Sequence, residues 1–199
     1  SVRLSELADM AFGEDADFSL DYGTAAGSSA LRQEIANEHG VEADDVVVTV
    51  GGAHALFLIA FTLCQAGDEA VVAEPVFPLA RNALAAVGAT TRALPLAFDT
   101  GYRIDLDALR QLLSPKTRVL SLASPQNPSG VAIPSQTLRE IVAMLAELAP
   151  KAWLVIDETY REAAYGDDAA APGAARLGDR VISVSSLSKC HGSAGLRIG

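Results

Sequence analysis

Apolar residues along this chain follow two different spacings, and the spacings alternate from one segment to the next. Short runs rich in β-branched residues predict strands, whereas longer segments with helical spacing predict helices. The predicted strands are DVVVTV (45–50), EAVVAEP (69–75), TTRALPL (90–96), TRVLSLASP (117–125), AWLVIDE (152–158) and RVISVSS (180–186). The predicted helices are GGAHALFLIAFTLCQAG (51–67), LARNALAAVG (79–88), DLDALRQLL (105–113) and PSQTLREIVAMLAELA (134–149).

Residues at the helix ends support these boundaries. Asp105 is a suitable N-cap, and Pro134 fits the first turn of the long amphipathic helix. Gly67 and Gly88 follow apolar segments, at positions where helices commonly end.

The order of strands and helices predicts a fold class. Strands that are apolar on both faces and alternate with helices indicate a mainly parallel sheet covered on both sides. The sequence therefore predicts an α/β fold, a three-layer α/β/α sandwich. In such sheets ligands bind at the carboxyl ends of the strands, so the residues that follow each strand are the candidates for function.

Composition narrows the range of partners. The 199 residues are 50% hydrophobic and carry a net charge of −10, without a basic stripe that would bind nucleic acid. No apolar run approaches the length of a membrane helix, and the first ten residues do not resemble a signal peptide. Two cysteines form no disulfide framework, which favours a cytoplasmic protein. No pattern of metal ligands is present.

Gly51 and Gly52 lie where a predicted strand passes into a helix. Two glycines allow close approach of a ligand, and the helix N-terminus offers free N–H groups to a phosphate. Many strand–helix turns use Gly-Gly for geometry alone, and no Gly-Lys-Ser/Thr follows as in a P-loop. His54, in the first turn, is better interpreted as a surface histidine than as a ligand contact.

Two further strand ends carry groups suited to a planar ligand. Phe77 lies between prolines in EPVFP, and is either a core aromatic or a ring that stacks on a ligand. Asn127, in SPQNPSG, precedes a proline that excludes helix there. The prolines explain the turn but not the amide side chain at the strand tip.

Asp157 ends the apolar run of the strand AWLVIDE and is expected to be at least half buried. A buried carboxylate requires a cationic or hydrogen-bonding partner. Tyr160 brings a phenol to the same place. An alternative interpretation is that Asp157 only caps the following turn.

Lys189 follows the last predicted strand. It is either a surface lysine at a charged turn or a partly desolvated amine suited to Schiff-base chemistry. Ser186 and Arg197 add a hydroxyl and a cation suited to a phosphate ester. Cys190 is interpreted as a small filler rather than a reactive thiol.

Together these groups point to one ligand. A flat, phosphorylated heterocycle with an aldehyde requires an amine, a phosphate cradle, a stacking ring and a carboxylate for a ring nitrogen. That ligand is pyridoxal 5′-phosphate (PLP).

The chain resembles the class I/II aminotransferases, which are fold-type I PLP enzymes, over essentially its whole length. The resemblance depends on motifs in the family's order: YGTAAGSSALRQEIA, TVGGAHAL, EPVFP, NPSG, DETY and SLSKCHGSAGLRIG. It implies an enzyme that transfers an amino group between an amino acid and a 2-oxo acid.

The resemblance also implies roles for single residues. Lys189 would form the Schiff base and shuttle the proton, and Asp157 would pair with the pyridinium nitrogen. Asn127 and Tyr160 would hydrogen-bond the ring oxygen, with Tyr160 in the catalytic set, and Phe77 would stack on the ring. The phosphate contacts would come from the N–H groups of Gly52 and Ala53 and from Ser186 and Arg197.

Tyr22 matches a tyrosine that reaches the phosphate of the neighbouring subunit, which implies a homodimer with shared sites. Family members are about twice as long as this chain, so the resemblance implies that a C-terminal small domain is absent here. The expected organisation is an N-terminal segment, 1–21, followed by the PLP-binding large domain, 22–199.

Two alternative functions share these motifs. A PLP-dependent C–S lyase of the same fold would carry the same cofactor contacts. A PLP-sensing domain of a transcription regulator would require a DNA-binding region upstream, and no basic segment precedes Leu4.

Overall fold

The computed structural model of the chain describes residues 3, 5–8, 22–165 and 173–199. Its strands are β1 (Glu69–Glu74), β2 (Thr90–Pro95), β3 (Thr117–Ala123), β4 (Trp153–Asp157) and β5 (Val181–Val184). Its α-helices from residue 22 onward are α1 (Ser29–His39), α2 (Gly52–Leu63), α3 (Leu79–Ala86), α4 (Leu106–Leu112) and α5 (Ser135–Leu148).

The five strands form one sheet in the order β2-β1-β3-β4-β5, and every neighbouring pair is parallel. The chain steps outward from β1 to β2 and then returns to the other side of β1 with β3. The ends of three strands are level, because Asp157 pairs with Ala123 on one side and with Val184 on the other. The loops that follow β3, β4 and β5 therefore begin side by side.

Helices cover both faces of the sheet. On β1, Val71 and Ala73 pack into the cluster that contains the buried residues of α4 and α5. Ala70 and Val72 pack into the opposite cluster, with α2 and α3. Alternate residues of a strand point to opposite faces, so an apolar strand fills both layers. The predicted three-layer α/β/α fold is confirmed.

Local signals place the helices as the sequence predicts, except that α2 ends at Leu63, four residues before the predicted end at Gly67. Oδ1 of Asp105 accepts hydrogen bonds from the N–H groups of Asp107 and Ala108, at 2.9 and 3.0 Å, and so caps α4. In α5, which begins directly after Pro134, one stripe of residues is buried against the sheet. That stripe contains Leu138, Ile141, Met144 and Leu145.

The strand predicted at 45–50 is wrong. The segment is extended, but it does not join the sheet. It forms one isolated antiparallel bridge, between Val50 and Ile198. Thr49 and Gly199 exchange two backbone hydrogen bonds beside that bridge, at 2.7 and 3.1 Å. A β-branched run favours extended backbone, but a strand also requires a neighbour along its length.

The predicted segment 1–21 lies largely outside the described residues, and the domain boundary at residue 22 stays a prediction. Within the described ranges, no helix is both long enough and apolar enough to cross a membrane. The same ranges hold no group of three or more His, Cys, Asp or Glu side chains arranged to bind a metal ion.

Candidate active site

The loops after β3, β4 and β5 are joined at their first residues. The N–H of Ser124 donates to the carbonyl of Asp157 at 2.9 Å, and the N–H of Glu158 donates to the carbonyl of Val184 at 2.7 Å. These bonds continue the sheet ladder one residue beyond the strands. They hold the three loops in fixed positions relative to one another.

Asp157 lies at the centre of this edge and is partly buried. Its Oδ1 accepts a hydrogen bond from the N–H of Thr159 at 3.0 Å, so the capping interpretation is correct for one oxygen. Oδ2 has no hydrogen-bond partner among the described residues. One carboxylate oxygen therefore stays available to a ligand, while the other fixes the side chain.

Asn127 and Tyr160 line one cavity of about 490 Å³. Asn127 follows β3, and Tyr160 immediately precedes the short 3-10 turn Arg161–Ala163 after β4. Both side chains are partly buried. The structure thus brings together an amide and a phenol from neighbouring loops in a cavity whose lining does not include Asp157 or Lys189.

Gln126 is a residue of this region that the sequence analysis missed. It is buried, and its side-chain amide donates to the carbonyl of Tyr102 at 3.1 Å. Its Oε1 accepts from the hydroxyl of Ser129 at 2.7 Å. Gln126 therefore fixes the loop that carries Asn127, and the signal was a polar residue directly after a buried strand.

The N-terminus of α2 lies against the loop that follows β5. A Cβ placed on Gly52 would lie 3.7 Å from the carbonyl oxygen of Ser185 and 3.8 Å from Cβ of Ser186, which is buried. The N–H groups of Gly52 and Ala53 have no acceptor among the described residues, as is usual in the first turn of a helix. The Gly51–Gly52 turn thus reaches the same edge of the sheet without following a sheet strand.

Arg197 places a positive charge beside this helix end. A Cβ on Gly51 would clash with its guanidinium group, lying 3.0 Å from Cζ. Nη1 of Arg197 contacts the hydroxyl of Ser188 at 3.4 Å and the carbonyl of Ala194 at 3.1 Å. No carboxylate of the described residues pairs with it. A guanidinium group and a helix N-terminus repel each other unless an anion lies between them, so this place fits an anion.

His54, on the same turn, has a local role. Its Nδ1 accepts from the N–H of Val50 at 3.1 Å, and the residue is exposed. The interpretation of His54 as a surface histidine is confirmed.

Lys189 is exposed, so the expectation that it is partly desolvated is wrong for this chain. β5 ends at Val184, and the intervening residues carry Lys189 out on a turn that is closed by a bond from the N–H of Gly192 to its carbonyl, at 3.0 Å. The lysine is therefore accessible from solvent at the edge where the strand ends meet.

Cys190 is next to Lys189 but is not set up as a reactive thiol. Burial and the nearby Glu162 carboxylate raise the pKa of Cys190 above its usual value. Its Sγ contacts the carbonyl of Thr159 at 3.4 Å. A raised pKa leaves less thiolate at neutral pH, which agrees with the interpretation of Cys190 as a filler.

Phe77 is 55% exposed, so its interpretation as a core aromatic is wrong. It lies in the loop between β1 and α3, two residues after Pro75 and one residue before Pro78. An exposed ring on a loop after a strand end is available to a ligand.

Tyr22 is also fully exposed. No described hydrogen bond joins it to the site of its own chain. Its role across a subunit interface stays a prediction.

Glu158 is the second residue that the sequence analysis missed. It is only 5% exposed, directly after Asp157, and its carboxylate is bonded to the backbone of Ala174 and to the hydroxyl of Ser183. A charged residue at the end of an apolar strand was the available signal.

Known proteins resemble this chain in sequence and in structure. The family model Aminotransferase class I and II matches residues 12–199. The arginine–pyruvate transaminase AruH of Pseudomonas aeruginosa is 33% identical over 185 residues, which is 89% of this chain and 47% of that protein. A histidinol-phosphate aminotransferase of Roseobacter denitrificans is 33% identical over 86% of this chain and 46% of its own length.

Among solved structures, the alanine aminotransferase of Pyrococcus furiosus superposes with a TM-score of 0.84 and 27% identity, over 98% of this chain and 50% of its own. A PLP-dependent aminotransferase from Streptococcus suis gives a TM-score of 0.83 and 28% identity, over 92% and 48%. The chain thus spans about half the length of the relatives it matches. With the family model covering all but its first residues, the chain belongs to the aminotransferase class I and II family.

Proposed function

We propose that the protein is a PLP-dependent aminotransferase that exchanges an amino group between an amino acid and a 2-oxo acid, with PLP bound to Lys189 as a Schiff base. Family membership supports the reaction class. The observation that carries the proposal is the convergence of an anion site, a half-free carboxylate and an accessible lysine at one edge of the sheet.

The residues present fit the phosphate of PLP. The N–H groups of Gly52 and Ala53 would donate to it, and Cβ of buried Ser186 lies beside Gly52 at the same helix end. Arg197 supplies the charge that offsets the phosphate dianion. Glycine is required at position 51 because any larger side chain would displace that guanidinium group.

The neighbouring loops fit the ring. Asp157 holds the proton on the ring nitrogen through the oxygen that Thr159 leaves free. Asn127 and Tyr160, which share a cavity, donate hydrogen bonds to the ring oxygen. The ring of Phe77, which is exposed, would pack on the face of the cofactor.

Lys189 provides the amine at the end of this arrangement. When bound, PLP supplies an aldehyde that condenses with amines and a ring that withdraws electrons from the substrate Cα. The substrate amine would take the place of Lys189 on the cofactor, and the amine of Lys189 freed in this exchange would remove and return the proton at Cα. Asp157 stabilises the charge that develops during this transfer, because it keeps the ring nitrogen protonated.

The proposal includes a homodimer in which Tyr22 reaches the phosphate of the neighbouring subunit. The outer face of α2 is unusually apolar, with Phe57 and Phe61 stacked at a centroid distance of 6.0 Å and Phe61 67% exposed. Exposed apolar patches of this kind mark interaction surfaces. A second copy on this face would bury these rings next to the phosphate cradle at the start of the same helix. In this proposal residues 22–199 form the cofactor-binding large domain.

The test is a screen of amino donors with 2-oxo acid acceptors, performed on the complete gene product loaded with PLP. We expect one or more amino acids to yield their 2-oxo acids without release of ammonia. The Lys189→Ala variant is the matched control and should lose this activity. Release of ammonia and a thiol from cysteine-like substrates would instead show the lyase reaction. PLP binding without turnover of any donor would favour a sensing role.

A further inference from the structure

Glu158 is a buried carboxylate with a full set of partners. Both of its oxygens accept from the N–H of Ala174, at 3.1 and 3.2 Å. The hydroxyl of Ser183, on β5, donates to Oε2. A buried charge is tolerated only with such bonds, so this carboxylate has a defined position.

The side chain lies on the face of the sheet opposite to α2. Its partner Ala174 belongs to the same apolar cluster as Ile156 of β4 and Val181 of β5, whereas Val155 packs into the cluster that contains α2 residues. Glu158 is therefore separated from the phosphate cradle by the sheet. It has no route to direct contact with a ligand bound beside α2.

Glu158 and its partner Ser183 are both close in sequence to residues of the candidate site. Glu158 follows Asp157 and precedes Tyr160 by two residues, whereas Ser183 precedes Ser186 by three. The backbone bond from the N–H of Glu158 to the carbonyl of Val184 lies beside the same contact. Glu158 thus joins the turn after β4 to the last residues of β5 through both its backbone and its side chain.

We propose that Glu158 is a positioning residue, whose carboxylate holds the turn after β4 against β5 and so fixes Asp157 where it reaches the ring nitrogen of PLP. This inference rests on the proposed function. It assigns a role in cofactor binding to a side chain that touches neither cofactor nor substrate.

The test uses the complete gene product as Glu158→Gln, Glu158→Ala and the control Glu147→Gln, whose carboxylate is exposed. The PLP dissociation constant and the pH midpoint of the visible absorbance of bound PLP are measured. We expect Glu158→Gln to weaken PLP binding about fivefold, the effect of one ordinary hydrogen bond. The midpoint should rise by about half a pH unit or more, because a less firmly held ring proton withdraws less charge from the rest of the chromophore.

A second set of variants shows whether the effect passes through Asp157. In an Asp157→Asn background, Glu158→Gln should no longer move the midpoint, because the group it positions is gone. If Glu158→Ala does not fold, Ser183→Ala removes only the hydroxyl partner and should reproduce the smaller part of the change, while Ser183→Thr restores it. Thermal unfolding of the cofactor-free proteins separates a loss of stability from a loss of positioning.

Unchanged PLP affinity and midpoint in folded Glu158 or Ser183 variants would overturn the inference. A midpoint shift that persists in the Asp157→Asn background would do the same. If the wild-type protein binds no PLP, the proposed function itself fails, so the two failures are distinguishable.

Discussion

Asp157 has two carboxylate oxygens with different tasks. Oδ1 accepts from the N–H of Thr159, whereas Oδ2 has no hydrogen-bond partner in the part of the chain that the structure describes. In Asp157→Asn, the amide oxygen can keep the bond to Thr159, but the amide cannot hold a proton on a ring nitrogen. We expect turnover to fall by at least about 100-fold, which corresponds to about 2.7 kcal/mol of activation free energy. Steady-state kinetics with saturating PLP measure this.

Thermal unfolding of Asp157→Asn without cofactor is the control, and it should change little. Near-normal turnover with full cofactor loading would contradict the role of Asp157 at the ring nitrogen.

At this scale, the sequence indicated which residue types stand at the strand ends, but not their exposure. Phe77 and Lys189 both follow buried strands, yet both are exposed in this chain. The exposure of a loop residue depends on which distant segments of the chain cover the loop. The residues next to it in sequence do not indicate which segments these are. For the same reason, the partners of Glu158, in residues 174 and 183, were not predictable from DETY.

The proposed phosphate site lies at the N-terminus of helix α2. Gly51 has φ of +79° and leaves room for Arg197, whereas Gly67 has φ of +91° and nothing within 4 Å of an added Cβ. An alanine at either position is strained, costing about 1 kcal/mol or more of unfolding free energy. Gly51→Ala also displaces the guanidinium group, so we expect about tenfold weaker PLP binding in that variant.

Gly67→Ala is the matched control for backbone strain. Titration with PLP, together with thermal unfolding of both variants, separates the two effects. Equal PLP affinity in Gly51→Ala and Gly67→Ala would contradict the placement of the phosphate beside Arg197.

Helices and sheet strands were predictable where local chemistry and pattern agree. Asp105 caps α4 as its position before an apolar periodic run indicates. The segment 45–50 has the composition of a strand, but its pairing partner lies about 150 residues further along the chain, at Ile198 and Gly199. Patterns within a segment describe its own preference, not the availability of a distant neighbour.

On the scale of the whole molecule, the parallel strands bring the loops after β1, β3, β4 and β5 to one edge of the sheet, and the Gly51–Gly52 turn meets the same edge. The apolar face of α2 and Tyr22 are both exposed in the single chain. In the proposed homodimer, a second copy would cover both of them. Alternation of strands and helices predicted the layers of the fold, whereas the proposal of a homodimer came from the family resemblance.

Mixed dimers test the shared site. Tyr22→Phe should weaken PLP binding by about 0.5–1.5 kcal/mol, the value of one hydrogen bond. In a dimer of one Tyr22→Phe chain and one inactive Lys189→Ala chain, one site carries both changes and the other carries neither. We therefore expect wild-type activity at low PLP concentration to reappear on mixing.

If Tyr22 served its own subunit, each site would keep one change, and mixing would give no activity above that of the Tyr22→Phe dimer. That result in well-exchanged dimers would contradict the assignment of Tyr22. Each mutant dimer assayed alone is the control.

Lys189 is the residue proposed to carry the cofactor. Borohydride reduction of the PLP-loaded protein fixes the Schiff base, and proteolysis with mass spectrometry then locates the pyridoxyl group. We expect the label on the peptide that contains Lys189, and its loss in Lys189→Ala. This chain has two other lysines. Lys116 directly precedes β3 and Lys151 precedes β4 by two residues, so both lie at the opposite edge of the sheet from the strand ends. A label on either of these, with Lys189 unmodified, would contradict the assignment of Lys189.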